Sequence, residues 1–210
     1  MALLFDWDGV LVDSGADYFR AYELALEQEG LKVAPREVLL REGRRTGEVI
    51  AALFADRGKT IPEEKVLELV ERRRRTYLQI ARHLFFRKAW DLLRALREDG
   101  FKLGLVTGSS RKNDVLPITP EREECFDVVV TADDITHPKP DPEPFSLAVR
   151  SLGAQPGRCL VIENAPCGIE SAHRAGCRVI ALCTTLEPAD LREADWVVAD
   201  HRELKALLTT

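Results

Sequence analysis

The chain has 210 residues, 45% of them hydrophobic, with 30 Lys and Arg against 35 Asp and Glu for a formal net charge of −5. That is enough apolar material for one sizeable core plus a small accessory domain, and too much for a disordered chain. A mildly acidic chain lacks the positive field of a non-specific nucleic-acid binder, so no nucleic-acid partner is predicted. Five cysteines, at 125, 159, 167, 177 and 183, form no CxxC pair and no zinc-ligand spacing. They read as reduced thiols that behave as small hydrophobes in a cytoplasmic protein. The first apolar run meets an acid at position 6 with no basic segment ahead of it, and no run approaches the length of a membrane span. No signal peptide and no membrane partner are therefore expected, and the expected state is a monomer or weak homodimer.

In chain order, short aliphatic or β-branched runs at 2–5, 102–106, 127–130, 159–162, 178–182 and 196–198 read as buried parallel strands. Helical patterns at 89–99, 142–152, 168–175 and 201–208 alternate with the later strands, and Gly100, Gly153 and Gly176 stand where C-terminal glycines belong. Alternation of this kind predicts an α/β fold, a doubly wound, mostly parallel Rossmann-like sheet. About 85 residues with little strand character separate the first strand from the second, far more than a crossover needs. They read as helices over 17–29, 35–42, 46–57 and 62–81, an inserted all-helical cap domain. The predicted division is a core of residues 1–14 and 83–210 with a cap of residues 15–82. Within the last cap helix, Arg72 to Arg75 read as a solvated face, since successive helical positions point around the circumference.

In an open α/β sheet the ligand lies beyond the carboxyl ends of the strands. Those ends carry Asp6-Trp7-Asp8-Gly9, then Thr107-Gly108-Ser109-Ser110, then His137-Pro138-Lys139-Pro140, then Glu163-Asn164. A carboxylate can attack phosphorus, Mg²⁺ takes oxygen ligands, and a phosphoryl group in transfer needs fixed donors and cations around it. Asp6, Asp8 and Glu163 sum to −3, and Mg²⁺ with Lys139 sums to +3. Without cations, acids this close would repel and take up a proton. Taken alone, Asp8-Gly9 reads as a strand-ending turn, Lys139 as a surface lysine among prolines, and Thr107 to Ser110 and Asn164 as helix caps.

Phe5-Asp6-Trp7-Asp8-Gly9-Val10-Leu11-Val12-Asp13-Ser14 resembles the first motif of the haloacid dehalogenase superfamily, DxDGxLxDS. Thr107, Lys139-Pro140 and Glu163-Asn164 with Gly168 resemble its second, third and fourth motifs, and the helical insertion sits where subclass I of that family places its cap. The resemblance spans essentially the whole chain. It implies a Mg²⁺-dependent phosphatase acting on a small-molecule phosphate ester, a sugar phosphate for preference, through a phospho-Asp6 intermediate. It implies Asp6 as nucleophile, Asp8 as general acid and base whose backbone carbonyl also meets the metal, Thr107 and Lys139 as catalytic, and Gly108 and Ser109 as phosphate-binding. Metal ligands would come from Asp6, Asp8, Glu163 and Asn164. Asn164 stands where the family usually has Asp, which leaves the choice between Glu163 and Asn164 open. Arg44 and Arg45, in a loop between two cap helices, would contact substrate, and Arg111 would face the same cleft. Gly15 would be a hinge, with Asp13 and Ser14 structural. A β-phosphoglucomutase is the alternative, weakened because that enzyme's hinge histidine aligns with Tyr18; a non-catalytic phosphate-binding module is a more remote one.

Overall fold

The computed structural model describes residues 1–112, 116 and 118–208. Expectations that touch 113–115, 117, 209 and 210, including the end of the predicted core segment, lie outside the described residues there. The chain runs β1 (Ala2–Phe5), α1 (Gly15–Glu27), α2 (Pro35–Leu39), α3 (Thr46–Ala55), α4 (Glu63–Ile80) and α5 (Arg87–Glu98). It continues with β2 (Lys102–Val106), α6 (Pro120–Glu123), β3 (Val128–Val130), α7 (Glu143–Ser151), β4 (Cys159–Glu163) and α8 (Pro166–Arg174), and ends with β5 (Arg178–Leu182), β6 (Trp196–Val198) and α9 (His201–Leu208). The sheet is wholly parallel in the order β3-β2-β1-β4-β5-β6. This is the doubly wound α/β arrangement that the strand pattern predicts.

Its strands are apolar on both faces because helices cover both. Successive side chains of a strand point to opposite faces, so β1 divides itself between two cores. Leu3 and Phe5 join Leu92, Leu96 and Leu204 from α5 and α9, while Ala2 and Leu4 join Phe145, Val149 and Ile169 from α7 and α8. A third cluster belongs to the helical block alone: Tyr22, Leu26, Val49, Ile50, Leu53 and Leu69 pack α1, α3 and α4 together. The block between β1 and α5 thus has an apolar core of its own. Among the described residues no helix is long and apolar enough to cross a membrane.

Several local expectations need correction. The helix expected over 35–42 stops at Leu39, and turns carry the chain through Gly43 at φ 91°. Gly15 is the first residue of α1, and a Cβ there would meet Thr185 Cγ2 at 2.8 Å. No helix begins at residues 107–112, so the helix-cap reading of Thr107 to Ser110 falls. The four arginines of α4 do not share one solvated face. Arg72 pairs with Glu29 and Glu68, and Arg74 and Arg75 pair with Glu71, but Arg73 is buried. All five cysteines are free thiols.

Candidate active site

The sheet order reverses beside β1, which lies between β2 and β4. A topological switch of this kind opens a crevice at the strands' carboxyl ends. Asp6 continues β1, its amide still donating to Ile162 O at 3.0 Å. Trp7 then turns into the core, fully buried with its ring edge-on to Phe85, and fixes the segment that carries Asp6 and Asp8. Glu163 closes β4, and the loop after β3 brings Lys139 underneath.

Lys139 Nζ donates to Asp6 Oδ1 at 2.8 Å, to Glu163 Oε1 at 2.6 Å and to Val106 O at 3.3 Å. All three side chains are buried. Glu163 spends its second oxygen on backbone, accepting from the amides of Asn164 at 2.9 Å and Ala165 at 3.4 Å. There is room for this carboxylate only because position 168 is glycine: a Cβ there would lie 1.9 Å from Glu163 Oε1. Burial pushes the Asp6 carboxyl up to about 7, and Glu163 and Asp8 push the same way against the pull of Lys139. Burial works against the Lys139 ammonium too, but the two carboxylates outweigh it and hold its pKa above the ordinary lysine value.

Ser109 Oγ donates to Asp8 Oδ2 at 3.1 Å, and the Ser109 amide donates back to Thr107 Oγ1 at 3.0 Å. The loop after β2 is thereby tied to the first motif. Arg111 leaves this region. It forks onto Glu123 at 2.6 and 2.9 Å and does not line the cleft, so its expected role there is withdrawn.

Asn164 is completely buried. Its Nδ2 donates to Glu42 Oε2 at 3.0 Å and to Thr185 Oγ1 at 2.9 Å. It lies over Gly9, whose φ is 68° and where a Cβ would come within 2.1 Å of Nδ2. Asn164 Oδ1 and Glu42 Oε1 are buried acceptors with no hydrogen-bond partner. Buried acceptors without donors are uncommon and call for a missing donor or cation. Burial, then Asp8, Asp6 and Glu163, drive the Glu42 carboxyl well above the ordinary range. Among the described residues no three His, Cys, Asp or Glu side chains converge as a ready ligand set. Mg²⁺ does not need one, since one or two carboxylates beside neutral oxygens and water suffice. Two orphaned oxygens beside an excess of buried carboxylates fit a divalent cation.

A cavity of about 480 Å³ stands above these groups. Asp6, Asp8, Gly108, Ser109, Lys139 and Glu163 line its floor, and Tyr18, Glu42, Arg44, Arg45, Arg73 and Tyr77 line the side formed by the helical block. Thr107 and Asn164 are buried and do not line the cavity. Arg45 Nη2 donates to Thr136 O at 2.6 Å, joining block to core. Glu42, Arg73 and Tyr77 were not foreseen at the site. For Arg73 and Tyr77 a signal existed: with Leu69 they repeat every four residues and so share the buried face of α4. Glu42 left no such trace, because it lies in a turn.

The chain matches the haloacid dehalogenase-like hydrolase family over residues 3–182. This protein belongs to that family. Among its relatives, validoxylamine A 7'-phosphate phosphatase of Streptomyces hygroscopicus subsp. limoneus is 30% identical over 203 residues, 96% of this chain and 94% of the relative. Pyrophosphatase PpaX of Bacillus cereus (strain AH820) is 29% identical over 91% of this chain and 87% of its own. Among solved structures, a hydrolase from Pseudomonas syringae superposes with a TM-score of 0.86 at 26% identity, covering 99% of this chain and 97% of the other. A putative β-phosphoglucomutase from Bacteroides vulgatus reaches a TM-score of 0.84 at 27% identity, over 99% of this chain and 87% of the other. This member of the hydrolase family thus shares its fold with relatives named for phosphate chemistry.

Proposed function

We propose that this hydrolase is a Mg²⁺-dependent phosphatase of a small phosphorylated metabolite, a sugar phosphate by preference, working in the cytoplasm. Residues 15–82 serve as a cap over a core of residues 1–14 and 83–210. The observation that carries the reading is the buried Lys139 ammonium bridging Asp6 and Glu163 at the floor of the cavity, with Asp8 beside it.

Lys139 occupies one oxygen of Asp6, and the other attacks phosphorus. The ester bond breaks as the phospho-Asp6 bond forms, and Asp8 gives its proton to the departing alkoxide. Asp8, now a carboxylate, takes a proton from water as that water attacks phosphorus, and Asp6 is released with phosphate. Thr107, Gly108 and Ser109 hold the phosphoryl oxygens, and Lys139 offsets charge on Asp6 and the phosphoryl group. Asp6, the backbone carbonyl of Asp8 and Asn164 Oδ1 would hold Mg²⁺. Glu163 is the less suitable ligand, because both its oxygens already serve Lys139 and backbone amides. Bound Mg²⁺ supplies positive charge beside the phosphoryl oxygens and keeps Asp6 ionised.

Similarity to a putative β-phosphoglucomutase keeps a mutase as the second reading. Tyr18 weighs against it: its ring packs on Arg73, and burial and then Tyr22 raise the phenol's pKa well above the usual value, so it stays neutral. Steady release of phosphate from sugar phosphates is the expected result. Efficient interconversion of β-glucose 1-phosphate and glucose 6-phosphate, primed by glucose 1,6-bisphosphate with little phosphate released, would favour the mutase.

A further inference from the structure

Arg73 is a charge taken out of water and left incompletely paired. It is 7% exposed, and its Nε and Nη2 are buried with no hydrogen-bond partner. Its guanidinium carbon lies 4.6, 4.8 and 4.9 Å from the ring centroids of Tyr18, Tyr22 and Tyr77. Aromatic faces compensate a buried cation in part, but they leave the donors in the plane of the guanidinium unused. A buried cation without its hydrogen bonds is expensive, and cations in that state are usually completed by something.

The unused pair is specific. Nε–H and Nη2–H lie on one edge of the guanidinium and point the same way. Such an edge matches two oxygens of a single carboxylate or phosphoryl group. Arg73 also lines the cavity whose floor holds Asp6 and Asp8. Neighbouring arginines do not share this state: Arg72 is held by Glu29 and Glu68, and Arg75 by Glu71.

We propose that Arg73, in its tyrosine cage, is a specificity residue that binds a second anionic group of the substrate, separate from the phosphoryl group that Asp6 attacks. The inference rests on the phosphatase reading for what happens at Asp6, and it narrows the substrate class to phosphate esters that bear a further carboxylate or phosphoryl group.

Binding without turnover tests it. In an Asp6→Asn background with Mg²⁺ present, calorimetry compares 3-phosphoglycerate with glycerol 3-phosphate, and fructose 1,6-bisphosphate with fructose 6-phosphate. Each pair differs by one anionic group. We expect the more anionic member to bind at least tenfold tighter in one pair or both; the first pair reports a carboxylate and the second a phosphoryl group. Arg73→Gln should lower that ratio at least fivefold and move the less anionic members by less than threefold. Arg73→Lys keeps the charge without the two-donor edge, and should lower the ratio at least threefold; it carries the test if Arg73→Gln does not fold. A ratio under tenfold in both pairs, a smaller fall on substitution, or an equal loss for all four compounds would overturn the assignment. Failure of the Asp6-intact protein to release phosphate from any of them counts against the phosphatase reading alone, because the affinities do not depend on turnover.

Discussion

The floor and the roof of the cavity are built on opposite plans. On the floor, Lys139 bonds Asp6 and Glu163, Glu163 bonds two backbone amides, and Ser109 bonds Asp8. Above it, Glu42 Oε1 and two nitrogens of Arg73 are buried without partners. A prearranged floor needs no reorganisation when charge develops in a transition state. A roof of unsatisfied groups stores desolvation that a ligand can relieve, so it suits selection among substrates. On the proposed function, the difference teaches that chemistry and choice would be separated by structural origin: strand ends for the first, the helical block for the second.

The floor should break catastrophically and the roof by degrees. Asp6→Asn removes the nucleophile while leaving an acceptor for Lys139. Turnover of an aryl phosphate should fall at least 1,000-fold, about 4 kcal/mol in barrier, with an unchanged circular dichroism spectrum. Retention of a tenth of the activity would refute the nucleophile assignment. Gly168→Ala attacks the same floor sterically. Its Cβ would sit 1.9 Å from Glu163 Oε1, so Glu163 must move and Lys139 loses one anchor. A kcat loss of about 10- to 100-fold, 1.4 to 2.7 kcal/mol, is expected. An alanine variant with normal kcat would show that the Glu163–Lys139 bond is dispensable.

Floor and roof were unequally legible for physical reasons. The carboxyl end of a parallel strand is a fixed address, so apolar runs at 2–5, 102–106 and 159–162 located Asp6, Thr107 and Glu163 beside one another. Lys139, several residues beyond the third strand, was placed with them by the same strand-end reading, and the resemblance then gave it a role. Roof residues depend on how far a helix runs and which way it faces. A helix ending at Leu39 instead of 42 moved Glu42 into a turn that points inward. Arg73 was hidden by its own neighbours, since a run of four arginines looks solvated until each is projected onto the helix. Arg111 failed in the opposite direction, because its partner Glu123 sits on α6, a four-residue helix with no pattern to announce it.

Asn164 joins the two regions, and changing it should show how. Asn164→Asp adds a carboxylate beside the proposed Mg²⁺ position but removes the Nδ2 donor that Glu42 now uses. Mg²⁺ affinity by calorimetry should rise about tenfold, 1.4 kcal/mol, while the metal-free protein melts at a lower temperature. Adding Glu42→Gln should recover the melting temperature by restoring a donor between the pair. Unchanged Mg²⁺ affinity would place residue 164 away from the metal. Protons and Mg²⁺ should also compete at Asp6. Its folded pKa, about 7, stands above the ordinary 3.8, so the metal-free fold loses stability from this group as pH rises from about 4 to 7. Saturating Mg²⁺ should therefore raise the melting temperature more at pH 8 than at pH 5.5, by a few degrees. An equal shift at both pH values would argue that Asp6 and Mg²⁺ do not meet.

The smallest effects belong to the exposed rim of the roof. Arg44 and Arg45 both line the cavity, and of the two, among the described residues, Arg45 bonds across to the core, from Nη2 to Thr136 O. Exposed charges are screened by water and salt, so neither should dominate binding. Arg45→Ala removes a tie between cap and core that every substrate uses. It should raise KM about twofold, alike for the physiological substrate and for a small aryl phosphate, because uniform binding is lost. Arg44→Ala removes a cationic side chain that only a substrate extending beyond the phosphoryl group can reach. It should raise KM about threefold, 0.7 kcal/mol, for the physiological substrate and leave the aryl phosphate unchanged. The reverse pattern, selective loss with Arg45 and uniform loss with Arg44, would exchange the two assignments. Equal effects of both variants on both substrates would place the whole rim outside the specificity site and leave the choice of substrate to the buried groups of the roof.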